Sequence, residues 1–202
     1  MLKPGRSARI LRIVAFGVVL LPIADARATR PELVTAAQYF PATEFRDLEA
    51  YEAGMPDAWA EYLASLREAP LFNDSATNFA VRLTVSPAFP GGTVIRISET
   101  DAGGVIGVTK RFERGTTKPV TSTIAITKES LSKIKHSLTA TGIWKLGNRQ
   151  TIINTDGQSF LLEVKRGGRY HAVYTDDPGQ GPIAVIARLL ENIMKSQPQL
   201  GD

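Results

Sequence analysis

The side chains whose types and spacing could do chemistry lie between Asp156 and Pro178, in the segment DGQSFLLEVKRGGRYHAVYTDDP. His171 precedes Asp176 and Asp177, with Ser159 and Thr175 close in the chain. A histidine oriented by a carboxylate is the general-base half of a hydrolytic site, and a hydroxyl would complete it. One reading is therefore a small hydrolase using His171 with Asp176 or Asp177. The same segment groups Lys165, Arg166 and Arg169 with Tyr170, His171 and Tyr174. Cations beside tyrosines form a contact surface for an anionic partner such as a lipid headgroup, a cell-wall polymer or an acidic protein. These six residues are the binding candidates, and no residue is assigned a catalytic role.

The rest of the chain narrows the chemistry further. Only two histidines are present, and His136 lies about 140° around its expected helix from Leu131, on the solvent side. Cysteine is absent, which removes disulfides, thiolate zinc sites and a thiol nucleophile together. No G-x-S-x-G elbow or H-E-x-x-H pair occurs, and the two histidines lack metal-ligand spacing. Gly91-Gly92, Gly103-Gly104 and Gly167-Gly168 read as turns, since none sits between a strand and a helix in phosphate-binding order. Neither a cofactor nor a metal is expected. Nucleic acid is not an expected partner either. The net charge is +4, but Lys3, Arg6, Arg9 and Arg12 against Asp25 put +3 of it in the first 26 residues. A chain starting at Arg27 would carry +1, too little for phosphate neutralisation.

The elements that must position these groups follow from periodicity. Gly167-Gly168 between two β-rich runs predicts a hairpin of strands 159–165 and 170–175. Its register puts Phe160, Leu162, Val164, His171 and Val173 on one face, and Leu161, Glu163, Lys165, Tyr170 and Tyr174 on the other. Upstream, Phe79–Ser86 alternates as a half-buried strand, and strands 93–99, 105–113 and 120–126 follow as an antiparallel meander. A further short strand is expected through Ile152-Ile153. Helices are expected from Lys128, capped by Thr127 and ended by Gly142, and over Ile183–Met194. Before the sheet, Thr43 is expected to cap a short helix through Phe45, Leu48 and Tyr51. Pro56 opens a second with Trp59, Tyr62, Leu63 and Leu66 on one stripe. Glu44, Glu49, Glu52, Asp57, Glu61 and Glu68 of this segment read as a solvated face. The expected fold is α+β: an antiparallel sheet of about six strands with helices packed mainly on one face and an N-terminal helical segment.

Residues 1–28 read as a secretory signal peptide. A basic start, MLKPGRSARILR, precedes the apolar run Ile13–Leu21, and A-x-A sites allow cutting before Arg27 or Thr29. Residues 29–78 form the helical segment and linker, and 79–202 the α+β domain. The expected location is the periplasm or the exterior, with the membrane met only during export or through an uncleaved leader. An uncleaved leader would make this a membrane-tethered envelope protein. The preferred reading is an exported, non-catalytic interaction protein whose partner is a protein or envelope component.

The motif Trp144, Asp156-Gly157, Glu163, Gly167-Gly168, Arg169 and Tyr170-His171 resembles a loose family of small exported bacterial proteins. In those, a strand opened by Asp-Gly leads through a glycine turn to Tyr-His. The resemblance spans residues 79–178 and implies export and an α+β fold. It implies no activity, and the chain departs from the family after Tyr-His, keeping only Pro178 of a Trp-Ser-Pro-like segment.

Overall fold

A computed structural model describes residues 34–46, 48, 52–86, 92–111, 119–150, 158–176, 179 and 181–195. The leader, Ile152-Ile153, Asp156-Gly157, Asp177 and Pro178 lie outside them. Residues 33–202 form one compact unit. Among the described residues, no helix is long and apolar enough to cross a membrane.

The six expected strands form one antiparallel sheet. They are β1 (Phe79–Ser86), β2 (Gly92–Thr100), β3 (Gly103–Arg111), β4 (Val120–Ile126), β5 (Ser159–Arg166) and β6 (Arg169–Thr175). Their spatial order is β4-β3-β2-β1-β5-β6. The meander β1 to β4 runs outward to one edge. Helix α3 (Lys128–Ala140) then carries the chain back, so that β5 pairs on the free side of β1. The Thr127 hydroxyl accepts from the Ser130 N–H at 3.2 Å at the start of α3. Gly142, with φ 66°, reverses the chain after it into a single 3-10 turn, Ile143–Lys145. The hairpin between β5 and β6 closes with Arg166 opposite Arg169, and Gly167 takes the positive φ of 59° that the tight turn requires.

On one face, Phe79, Val81, Leu83, Ile95, Ile97, Ile106 and Val108 meet Leu131, Ile134 and Leu138 of α3. Ile183, Ile186 and Leu190 of α4 (Pro182–Lys195) complete that core. The opposite face is covered by the N-terminal segment, which includes α1 (Ala36–Tyr39) and α2 (Met55–Ser65). Trp59, Leu63 and Leu66 pack with Val94, Leu161, Ala172 and Tyr174 of the sheet, as the helical stripe predicts. The short helix expected from Thr43 is not formed over 42–46, which are turn. Phe45 there has φ 59° and reaches the second core edge-on to Phe40.

This second layer changes the character of β1. A half-buried strand was expected, but Ala80, Arg82 and Thr84 are as buried as Val81 and Leu83. With neighbours on both sides and helices on both faces, β1 lies at the centre of this unit. The N-terminal segment is consequently part of the fold, and Leu63→Ala should weaken the whole unit. The expected loss is about 2–5 kcal/mol, read as one shifted transition in urea by far-UV circular dichroism. A transition that leaves the sheet signal unmoved would show that the segment folds separately.

Candidate functional site

The centre of the second face is ionic. Arg82 on β1 lies opposite Glu163 on β5, and both side chains have no exposed surface. Arg82 Nε donates to Glu163 Oε2 at 2.6 Å and Nη2 to Oε1 at 2.7 Å, a two-point fork. Its third arm, Nη1, donates to the Ala69 carbonyl at 2.6 Å and lies 3.7 Å from Glu68. The Tyr170 hydroxyl donates to Glu163 Oε1 at 2.7 Å. Burial alone would lower the Arg82 pKa, but the adjoining Glu163 carboxylate outweighs it and holds the guanidinium above its ordinary value. Burial, reinforced by the same carboxylate, keeps the Tyr170 phenol well above its usual range.

The surrounding contacts tie the sheet to residues 34–78. Lys165 Nζ donates to the Asp74 carbonyl, and Arg96 Nη2 pairs with the Asp74 carboxylate at 2.6 Å. Burial would raise the Asp74 pKa, but the Thr77 hydroxyl and the Arg96 guanidinium hold it below the usual carboxylate value. The Tyr174 hydroxyl donates to Glu52 Oε1 at 2.6 Å, and Arg149 pairs with the same carboxylate. Burial and the hydrogen bond to Glu52 raise the Tyr174 pKa. Three carboxylates expected on a solvated face, those of Glu44, Glu52 and Glu68, therefore point inward at sheet partners. Asp57 caps the backbone of Ala36 at 2.6 Å, and Glu61 is exposed as expected.

The six binding candidates are separated by this arrangement. Lys165 and Tyr174 are buried and engaged from within, because the N-terminal layer covers the face onto which they project. Arg166 is exposed at the hairpin turn. Arg169, Tyr170 and His171 come together. With Pro41, Thr43 and Trp144 they line a cavity of about 330 Å³, with Gly168 at its rim. The Arg169 guanidinium lies 4.6 Å from the centre of the Trp144 ring. That ring is in turn 6.5 Å from the His171 ring, tilted by 33°. Motif residues separated by more than twenty positions in the chain, Trp144 and Gly168–His171, thus line one groove, with Glu163 behind Tyr170.

His171 does not meet Asp176. The Asp176 carboxylate accepts from the Ser159 hydroxyl at 3.0 Å, at the other end of the hairpin. His171 Nε2 faces the Leu146 carbonyl at 2.9 Å and must donate to it, since a carbonyl only accepts. Nδ1 stands 3.3 Å from Glu44 Oε2. The same Glu44 oxygen accepts from the Ala172 N–H at 3.2 Å and from Asn148 Nδ2. In this arrangement neither ring nitrogen is turned toward a hydroxyl. Among the described residues there is no cluster of three or more His, Asp or Glu side chains able to hold a metal ion. A larger cavity, about 570 Å³, lies beside the start of α3, but the Lys135–Glu99 ion pair at 2.6 Å forms part of its wall.

Sequence reasoning passed over Arg82 and Glu44, Glu52, Glu68 and Asp74. One signal was present: opposite charges at mid-strand positions, Arg82 among FAVRLTVS and Glu163 among SFLLEVKR. No known protein family matches the chain, and no curated protein matches it either.

Two predictions follow from the buried charges. Glu163→Gln leaves Arg82 without its anionic partner and should cost about 3–5 kcal/mol in urea unfolding. The double change Arg82→Met with Glu163→Leu should cost less than the single one, and an equal or larger loss would disprove the pairing argument. The tyrosines set the alkaline limit. Unfolded phenols release their protons near pH 10, whereas folded Tyr170 and Tyr174 hold theirs to higher pH. The folded state then binds more protons, so stability is intact below about pH 10 and falls as pH rises toward the folded pKa values. Phenolate absorbance from these two residues should appear only together with loss of the circular dichroism signal, and Tyr174→Phe should flatten the alkaline slope.

Proposed function

We propose that the protein is an exported, non-catalytic binding protein of the periplasm or cell exterior that grips an acidic group of an envelope partner at the Arg169 groove. The observation that carries this reading is the Arg169 guanidinium held over the Trp144 ring at the groove mouth. A cation stacked on an aromatic ring is oriented before it meets its ligand, which lowers the ordering cost of binding. Arg169 is exposed, while the Tyr170 and His171 beneath it are fixed by Glu163, Glu44 and the Leu146 carbonyl. The result is a charged contact on a rigid base. His171, with both nitrogens engaged, supports a structural part in the groove wall rather than general-base chemistry. The resemblance to small exported proteins belongs to the same proposal, as does removal of the leader.

The test is capture from an envelope extract with the chain recovered from that compartment. The captured chain should begin at Arg27 or Thr29 by intact mass; an N-terminus at Met1 would favour the tethered form. The bound partner should be lost with Arg169→Ala and with Trp144→Ala, and kept with Arg166→Ala, whose side chain lies outside the groove. Binding should weaken with salt, as an exposed charge contact requires. Equal capture by all three variants would remove the groove as the binding site.

A further inference from the structure

The two edges of the sheet are treated differently. On β6 the outer backbone groups of Ala172 and Tyr174 are occupied. The Ala172 N–H donates to Glu44 Oε2, and the Ala172 carbonyl accepts from Asn148 Nδ2 at 2.8 Å. The Tyr174 N–H donates to the Asn148 carbonyl at 2.8 Å, and the Tyr174 carbonyl accepts from the Gln150 N–H at 2.9 Å. That edge is closed to another strand.

Among the described residues, the β4 edge is open. All seven of its residues pair inward with β3, from Lys110 opposite Val120 to Gly104 opposite Ile126, without a bulge. Among the described residues, no backbone group bonds to its outer side. Its sequence, VTSTIAI, has no charge, proline or glycine within the strand, so the devices that keep an edge from pairing stand only at its ends, as Pro119 and Lys128. Val120, one of two large hydrophobic side chains exposed among the described residues, sits on it with 52% of its surface open.

We propose that β4 pairs antiparallel with β4 of a second copy of this chain, joining two sheets into one across a two-fold axis. A foreign strand of either charge finds nothing on β4 to select it, whereas the strand is complementary to itself. With the axis through Thr123, Val120 faces Ile126 and Ser122 faces Ile124, all on the side of the α3–α4 core. Thr121 faces Ala125 and Thr123 faces Thr123 on the other side. Within the seven residues of the strand no like charges meet. The apolar stripe that ends in Ile124 and Ile126, both packed with the first core, continues through Val120 of the partner. Such a contact is isologous and closes on itself, which removes the open edge without building a filament. This inference is independent of the groove, which lies at the opposite edge.

Sedimentation equilibrium of the full chain over a range of concentrations tests it. A monomer–dimer equilibrium is expected, and Thr123→Lys, which sets two ammonium groups face to face, should weaken it at least tenfold with an unchanged circular dichroism spectrum. The absence of native cysteine allows a second check that does not depend on stability. Thr123→Cys should form a disulfide-linked dimer under oxidation, and Ser132→Cys on the exposed side of α3 should not. A monomer at every concentration overturns the proposal. So does a dimer indifferent to Thr123→Lys, or a monomer whose β4 captures an extended peptide of unrelated sequence.

Discussion

The Arg82–Glu163 pair is the contact on which the arrangement of this protein depends. Two full charges with no exposed surface are tolerable only if their hydrogen-bonding capacity is met, because desolvation costs several kcal/mol per ion. The fork between them satisfies two guanidinium nitrogens, and the third requires the Ala69 carbonyl and Glu68. Those groups come from the N-terminal segment. The central strand pair thus cannot bury its charges unless Glu68 and Ala69 fold over it. Layer and sheet are coupled through one guanidinium.

The same logic extends outward from the pair. Tyr170 reaches Glu163 from β6, so the inner wall of the Arg169 groove is anchored on the buried ion pair. Glu44 joins the N-terminal segment to the β6 edge and to His171 at once. Glu52 repeats the pattern with Tyr174 and Arg149. Acidic residues of the N-terminal layer are matched to cations, phenols and edge N–H groups of the sheet, one contact after another.

Among the described residues, one edge of the sheet is closed and the other bare, the second organising asymmetry. The groove sits at the closed edge, where backbone and side chains are held from several directions. The bare edge is uncharged and β-branched, suited to strand pairing rather than to small-ligand recognition. The two surfaces lie at opposite ends of the strand order, so occupation of one leaves the other free.

Much of the fold was legible in the sequence because strand and helix periods are local properties. The strand over Phe79–Ser86, the Gly167-Gly168 turn, the Thr127 cap and the stripe of Trp59, Leu63 and Leu66 each depend on a few neighbouring residues, and each element stands where its local pattern puts it, although the alternation of Phe79–Ser86 did not foretell burial on both faces. The face assignment of the hairpin followed from the turn alone, because a two-residue turn fixes the register. What the sequence alone did not decide was which faces meet. Arg82 looks like a solvent-side residue of a half-buried strand until a second layer covers it, and Glu44, Glu52 and Glu68 look solvated until the sheet stands opposite them. Their burial depends on partners as far apart in the chain as Arg82 and Glu163, or Glu44 and Ala172, which no local window contains. The site followed the same division: Arg169, Tyr170 and His171 were visible as a cluster, but only the tertiary structure brought Trp144 beneath Arg169, gave His171 to Glu44 in place of Asp176, and withdrew Lys165 and Tyr174 into the interior.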